Sequence, residues 1–505
     1  MSWLNVHWQS SQCSFNLTET EQIKRVISAK MGIRHVIEVF MKLLHALLLI
    51  FCFIPSAHAT TLPPSVVQAL KLAHIPLDSI GVEVREVNAS TPLISVNAKQ
   101  SMNPASTMKL LTTYAGLELL GPSYSWKTEA YIDGKLEQDV LHGDLILKGY
   151  GDPKLTLEKL WLWLHELRSR GLREIRGDLV LDNSVFQLAP HDPAEFDNEP
   201  MRPYNTGPDA LLLNFNSVHL RFIPEGKKIK IISTPELAGI KLDNRVTVAT
   251  VKRSCSNWNE ALSMQLQGDT LLVQGVYPIQ CGERERHVSL LSHSSYLYAV
   301  FLTLWQEMGG LLQGTLREGA VTGSAILFST HHSASLAELI RDINKFSNNV
   351  MARQLFLSLG GTAEAPANIT QSELTIRNWL TQKELHFPEL VLENGAGLSR
   401  RERISPFSLA LLLRSAQRSP LSTEFEASLP IVGVDGTFKK RLTDSKAASH
   451  AHLKTGSLEG VQAVAGYVQS LSGKQWILVF LINHPNAAAG RQAQNALIEW
   501  VQLQN

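Results

Sequence analysis

Strand patterns at the two ends of the chain constrain its fold most. Near the start of the globular sequence, "GVEVREV" and "PLISVNA" alternate in the manner of strands, with the turn-like "NAST" between them. Near the end, "VQAVAGYVQ" and "QWILVFLINH" form a second predicted hairpin around "SLSGK", and an amphipathic helix follows over about residues 491–502. We expect these terminal segments to share one sheet layer, so that both ends of the chain build one domain.

The sequence between these ends has a different character. Short strand patterns with Gly and Pro turns run over residues 127–285, and helical patterns return in "SSYLYAVFLTLWQEMG" and "SLAELIRDINKFSNNVMARQLFLSLGG". The predicted fold class is therefore α/β (α+β). We expect one domain of residues 60–126 and 286–505, split by a large, mostly β insertion of residues 127–285.

The composition is that of an ordinary globular protein. The 505 residues are 44% hydrophobic and 18% charged, and the formal net charge is +1. This length allows two or three domains. The balanced charge gives no reason to expect a nucleic-acid partner.

A segment of residues 41–59 has the pattern of a secretory signal peptide. Lys42 supplies a positive start, an apolar run follows, and Ala57-His58-Ala59 has the small residues of a cleavage site. We expect cleavage after Ala59 and no transmembrane anchor afterwards; the alternative is a retained anchor helix. Residues 1–40 are then either not translated, with a start at Met31 or Met41, or an unusually long n-region.

The mature chain keeps two cysteines, Cys255 and Cys281. An even pair in an exported protein indicates a disulfide, which stabilises by roughly 3 kcal/mol in the loop-entropy model. The alternative is two buried thiols.

A serine and a lysine lie on one face at the start of a predicted apolar helix. In "NPASTMKLLTTYAG", Pro104 suits a first helical turn, and Ser106 and Lys109 are three residues apart. No acid lies near Lys109 in sequence. A lysine in apolar surroundings has a lowered pKa and can act as a base toward a neighbouring hydroxyl. The alternative is a surface lysine beside a helix-starting serine.

Two further polar motifs follow later in the chain. Ser347 and Asn349 can present a hydroxyl and an amide to a cleft, or they can simply cap a helix. In "HLKTGSLEG", Lys454 and Thr455 can offer a charge and a hydroxyl to a carboxylate, and Gly456 allows close approach to the strand. The alternative for this segment is an edge strand with a protective lysine.

In this order, Ser-x-x-Lys, Ser-x-Asn and Lys-Thr-Gly resemble the motifs of penicillin-binding proteins and serine β-lactamases. The first two motifs are separated by a long stretch of sequence. In this the chain resembles the D-alanyl-D-alanine carboxypeptidase/endopeptidase family of the penicillin-binding protein 4 (DacB) type, peptidase family S13. Further matches are "GDPKL", "LDNSVF", "NGAGLSR" and "LPIVGVDGTFKKR". The resemblance implies a transpeptidase-like domain split by an insertion. A carboxylate of the insertion approaches the cleft in some relatives, and Asp197 or Glu199 could match it.

The resemblance also implies the roles of the site residues. Ser106 would be the acylated nucleophile, Lys109 its base, and Ser347 a proton relay. Asn349 would hold the substrate amide, and Lys454, Thr455 and Gly456 would bind its terminal carboxylate. The backbone N–H groups of Ser106 and Ser457 would receive the oxyanion.

The implied substrates are peptidoglycan stem peptides, and β-lactams would acylate the same serine. The implied location is the periplasm, with loose membrane association as an option, and the oligomeric state is not predicted. No cofactor or metal is expected, because His450 and His452 alternate on one strand without a third ligand. The alternatives are a serine β-lactamase, a non-catalytic peptidoglycan-binding protein on the same fold, and a chance occurrence of the motifs in a β-rich binding protein.

Overall fold

A computed structural model describes residues 61–249, 255–362 and 365–505 of the chain. The predicted signal peptide of residues 41–59 and the segment of residues 1–40 lie outside the described residues. The helices are α1 (Pro64–Leu72), α2 (Lys109–Leu120), α3 (Leu157–Ser169), α4 (His293–Glu307), α5 (Leu336–Lys345), α6 (Asn349–Ser358), α7 (Ile369–Gln382), α8 (Pro406–Gln417), α9 (Ser422–Ala427) and α10 (Arg491–Gln502).

The strands follow in chain order. They are β1 (Ile80–Glu86), β2 (Ile94–Val96), β3 (Lys127–Glu137), β4 (Val140–Gly149), β5 (Glu174–Ile175), β6 (Leu179–Asp182), β7 (Val218–Glu225), β8 (Lys228–Thr234), β9 (Lys241–Ala249), β10 (Leu262–Gln267), β11 (Thr270–Pro278), β12 (Arg284–Val288), β13 (Leu311–Leu312), β14 (Leu316–Glu318), β15 (Ile326–His332), β16 (Ala451–Leu458), β17 (Val461–Gln469) and β18 (Gln475–Asn483). The predicted α/β class is confirmed.

The two ends of the chain meet in one antiparallel sheet of order β16-β17-β18-β1-β2. Strand β1 pairs with β18 from Ile80 opposite Ile482 to Glu86 opposite Trp476. The predicted terminal hairpins therefore share a sheet, and β18 joins them.

Both faces of this terminal sheet are buried, because helices cover each face. Ile477 and Val479 belong to the core that includes α2, α5 and α8. The alternate residues Leu478 and Phe480 belong to the core under α1 and α10. Side chains alternate between the faces of a strand, so an unbroken apolar run such as "WILVFLI" fits a strand buried on both sides.

The intervening chain builds three further sheets. One has the order β13-β5-β4-β3-β15, with β6 and β14 attached, and the others have the orders β10-β11-β9 and β12-β7-β8. They share a core with α3 and α4. Strand β15 pairs with β3, so residues up to His332 belong to this part by pairing, and the expected boundary at 285–286 does not coincide with a change of sheet. The division into two domains stays a prediction.

Two smaller predictions concern this part and the membrane. Cys255 and Cys281 form a disulfide, with their Cα atoms 5.4 Å apart. No helix among the described residues has the length and apolar character needed to cross a bilayer.

Candidate active site

Ser106 lies in a short 3₁₀ turn, Ala105–Met108, that leads directly into α2. Ala105 has a φ of 45°, which is uncommon for a residue with a side chain, and such strain is typical of functional sites. Ser106 remains partly exposed, whereas Lys109 is fully buried. The predicted pair therefore sits at a helix start with its hydroxyl accessible and its ammonium group inside the protein.

The amino group of Lys109 makes three polar contacts. Its Nζ atom donates to Ser106 Oγ at 3.0 Å, to Asn349 Oδ1 at 2.6 Å, and to the carbonyl oxygen of Ala396. None of these acceptors carries a full charge. Burial lowers the pKa of Lys109 well below its ordinary value, and the charge of Lys454 lowers it further.

The second motif lies at the start of α6. One of its residues caps the helix, and two others face the site. The cap is Asn348, whose Oδ1 accepts from Met351 N at 3.0 Å. Ser347 has a φ of 58°, in the left-handed region. Asn348 caps the helix, so the side chains of Ser347 and Asn349 are available to contact Lys454 and Lys109.

The third motif lies on β16, the edge strand of the terminal sheet. Lys454 is fully buried, and its Nζ donates to Ser347 Oγ at 2.8 Å and to the carbonyl oxygen of Thr455 at 2.7 Å. Burial lowers the pKa of Lys454 to about 7. Thr455 Oγ1 donates to Thr437 Oγ1 at 2.9 Å. The lysine that could have protected an edge strand instead points into the protein.

Gly456 allows β16 to pass close to the Ser106 turn. A Cβ atom at this position would lie 2.8 Å from the carbonyl oxygen of Pro104 and 2.9 Å from the backbone nitrogen of Ser106. Ser457 follows on the same strand and is exposed. The strand backbone and the Ser106 amide are therefore neighbours.

The turn of residues 393–399 is a fourth segment of the site, and none of the predicted site residues lies in it. Besides Ala396, this turn contains Gly397, which has a φ of 75° and whose added Cβ would lie 1.9 Å from the carbonyl oxygen of Ala105. Asn103 Nδ2 donates to the carbonyl oxygen of Ser399 at 2.8 Å. The paired glycines of "NGAGLSR" were the available signal, since only glycine fits such a close approach at positive φ.

Of the two acids considered for the insertion, Asp197 is half-buried and Glu199 is exposed. Asp197 accepts from Tyr204 Oη at 2.8 Å and from Asn205 Nδ2 at 2.7 Å, and Glu199 pairs with Arg202. Their segment is tied to α6, because the buried Arg353 donates to the carbonyl oxygen of Thr206 at 2.8 Å. A role for either acid toward a substrate stays a prediction.

The chain matches a protein family over most of its length. Residues 65–504 match the model of the D-Ala-D-Ala carboxypeptidase 3 (S13) family. The chain belongs to this family. The resemblance to this family, which was based on the order of the three motifs, is therefore confirmed.

Individual S13 proteins are distant in sequence but similar over most of their length. D-alanyl-D-alanine carboxypeptidase DacB of Haemophilus influenzae is 26% identical over 416 residues, covering 80% of this chain and 85% of that protein. A D-alanyl-D-alanine carboxypeptidase of Actinomadura sp. strain R39 is 26% identical over 410 residues, covering 78% and 76%.

Solved structures give the same result for the fold. The crystal structure of penicillin-binding protein 4 (dacB) from Haemophilus influenzae is 25% identical, with a TM-score of 0.73 over 86% of this chain and 99% of that one. A complex of the same H. influenzae protein with a β-lactam has a TM-score of 0.70. The similarity of fold thus extends over most of this chain.

Proposed function

We propose that this S13 protein is a serine D-Ala-D-Ala carboxypeptidase that acts on peptidoglycan stem peptides through an acyl-enzyme on Ser106. We propose further that the same site cuts D-alanyl cross-links as a D,D-endopeptidase and is acylated by β-lactams. The observation that carries the proposal is the buried amino group of Lys109, held beside the Ser106 hydroxyl by uncharged acceptors.

The contacts of Lys109 suit a neutral amine that acts as a base. A neutral amine has two N–H groups and one lone pair. Asn349 Oδ1 and the carbonyl oxygen of Ala396 can accept from the two N–H groups, which leaves the lone pair facing Ser106 Oγ at 3.0 Å. Ser106 then donates its proton to Lys109 as Oγ attacks the carbonyl carbon between the two D-alanines.

The other side of the site suits the leaving group. Ser347 Oγ lies 2.8 Å from Lys454 Nζ, so this hydroxyl can pass a proton to the departing amine. Lys454 and Thr455 would bind the terminal carboxylate. The backbone N–H groups of Ser106 and Ser457 would receive the oxyanion, a role supported by the close approach of Gly456 to Ser106 N. Water then hydrolyses the acyl-enzyme and regenerates Ser106.

We also propose that the protein is exported to the periplasm and that its signal peptide is removed after Ala59. The support is the sequence of residues 41–59, in which a positive start and an apolar run precede Ala57-His58-Ala59. N-terminal sequencing of the protein from a periplasmic extract should begin at Thr60. A sequence that begins upstream of Met41 would contradict the proposal.

The decisive experiment is intact-protein mass spectrometry of residues 60–505 with benzylpenicillin. Wild type should gain the mass of one penicilloyl group, and Ser106→Ala should gain none. Ser101→Ala is the matched control, because Ser101 is exposed and lies five positions before Ser106, and it should be acylated like wild type.

The remaining outcomes separate the alternatives. Consumption of penicillin without a stable adduct would identify a β-lactamase. Intact penicillin without an adduct would favour a non-catalytic binding protein. If the adduct forms, release of D-Ala from a pentapeptide and cleavage of a cross-linked dimer would measure the two proposed activities separately.

A further inference from the structure

Glu402 is a fully buried carboxylate at the base of the turn that contains Ala396. Its Oε1 atom accepts from the backbone nitrogens of Glu393, Asn394 and Gly395 at 3.1, 2.9 and 2.9 Å. Three successive N–H groups that converge on one oxygen fix the path of the backbone. The turn therefore depends on an acceptor at the position of Glu402 Oε1.

The same turn holds Lys109. The carbonyl oxygen of Ala396 accepts from Lys109 Nζ, and the carbonyl oxygen of Gly395 accepts from Thr112 Oγ1 at 2.6 Å. Lys109 and Thr112 are neighbours on one face of α2. The turn thus connects Glu402 on one side with the amino group of Lys109 on the other.

Glu402 is also the acid whose charge acts on Lys109. The charged groups that face Lys109 come from different elements: Lys454 from β16, Arg353 from α6, and Glu402 after the turn. The two cations lower the pKa of Lys109, and Glu402 raises it. Glu402 forms no ion pair within the described residues, and its Oε2 atom has no hydrogen-bond partner there. Burial raises the pKa of Glu402, whereas the three backbone N–H groups and the charge of Lys109 favour its ionised form. When Glu402 is ionised, its charge acts through the protein interior, where screening by water is weak.

We propose that Glu402 is a positioning residue for Lys109: it shapes the turn that offers the Ala396 carbonyl to Lys109 Nζ, and its negative charge offsets those of Lys454 and Arg353. This inference rests on the proposed function, because it assigns Glu402 to the base of that reaction. The acidity of the base would then be set by a residue outside the three motifs.

The test uses three substitutions that separate shape from charge. Glu402→Gln keeps an oxygen for the three N–H groups and removes the charge, Glu402→Asp keeps the charge on a shorter side chain, and Glu402→Ala removes both. Glu389→Gln is the matched control, because the Glu389 carboxylate likewise accepts a backbone N–H, from Ser405 at 2.9 Å. The measurement is the rate constant of acylation by benzylpenicillin from pH 4 to 10, roughly the range over which a perturbed lysine can titrate, with thermal unfolding to verify folding.

The expected results differ between the variants. In Glu402→Gln the acidic limb of the rate profile should move to lower pH by roughly one unit, because loss of the negative charge makes Lys109 easier to deprotonate. In Glu402→Asp the acidic limb should stay at the wild-type pH, and the maximal rate constant of acylation should be lower. Glu402→Ala should lose about a hundredfold in rate through displacement of Lys109. Glu389→Gln should match wild type.

Two results would overturn the inference while leaving the proposed function intact: a Glu402→Gln profile that coincides with that of wild type, or a Glu402→Asp limb displaced by a full unit. If Glu402→Gln does not fold, the position of the acidic limb in the pH profile of Glu402→Asp decides whether the inference stands. Absence of acylation in wild type would instead remove the proposed function, and the inference with it.

Discussion

Lys109 Nζ lies 2.6 Å from Asn349 Oδ1, although 240 residues separate them in sequence. The contact joins the first residue of α2 to the first residue of α6. The first two motifs thus each supply a polar group from a helix start, where the backbone is fixed by the helix behind it. A rigid base beside the nucleophile is what acyl transfer requires.

Replacing Asn349 with aspartate should slow acylation at neutral pH. A carboxylate in place of the Asn349 amide would stabilise the charged form of Lys109 and raise its pKa, because an opposite charge at this distance favours ionisation. We expect the rate of acylation at pH 7 to fall at least about tenfold and its acidic limb to move to higher pH.

Asn348→Asp is the matched control for this change. It introduces the same charge one residue earlier, but aspartate caps a helix as well as asparagine does, and Asn348 Oδ1 is engaged with Met351 N. Stopped-flow measurement of acylation from pH 5 to 9, roughly the range in which the limb should appear, compares the two. Equal effects of the two substitutions would contradict a direct contact between Asn349 and Lys109.

The pH dependence of peptide cleavage should report Lys454. Burial lowers the pKa of Lys454 to about 7, and only its charged form attracts a substrate carboxylate. Since kcat/KM follows ionisation in the free enzyme, we expect its value for a peptide ending in D-Ala-D-Ala to fall about tenfold per pH unit above this pKa. Lys454→Arg stays protonated and should lose this descending limb. A descending limb that persists unchanged in Lys454→Arg would show that another group causes it.

Gly397→Ala should destabilise the protein and abolish acylation. The added Cβ would meet the carbonyl oxygen of Ala105 at 1.9 Å, at a φ of 75°. Gly473→Ala is the control, because Gly473 has a φ of 84° but nothing within 4 Å of the added Cβ. The control should cost about 1 kcal/mol in the free energy of unfolding and keep acylation. Denaturant unfolding measures the free energy of unfolding, and penicillin labelling measures acylation. Equal losses of stability and of acylation in the two variants would contradict a specific contact with the Ser106 turn.

Reduction of the Cys255–Cys281 disulfide should lower stability without removing the active site. The loop-entropy model gives a loss of about 3 kcal/mol in the free energy of unfolding. The disulfide joins the segments around β10, β11 and β12, and none of the site residues lies in those strands. The double substitution Cys255→Ser/Cys281→Ser should therefore unfold at lower denaturant concentration, while its acylation rate in buffer stays that of wild type. A lost acylation rate would show that the insertion supports the site.

The sequence alone determined the elements and the chemical groups. Alternation in "GVEVREV" and the apolar run in "QWILVFLINH" specified terminal strands, and a lysine without a nearby acid in an apolar helix indicated a lowered pKa. Ser106 and Lys109 are close because three residues along a helix start bring side chains to one face, a local relation that spacing can reveal.

Only the tertiary structure decided which distant groups meet. The spacing of "FSNN" could not tell which residue caps α6, because serine and asparagine both suit that position; the structure gives the cap to Asn348 and leaves Ser347 and Asn349 for the site. The turn of residues 393–399 reaches Lys109 through the carbonyl oxygen of Ala396. The glycines of this turn indicate a close approach of the backbone, but they do not reveal which group that oxygen meets. Glu402 acts from 293 positions beyond Lys109, and charge in a protein interior acts through space, so only the folded chain brings it to the base.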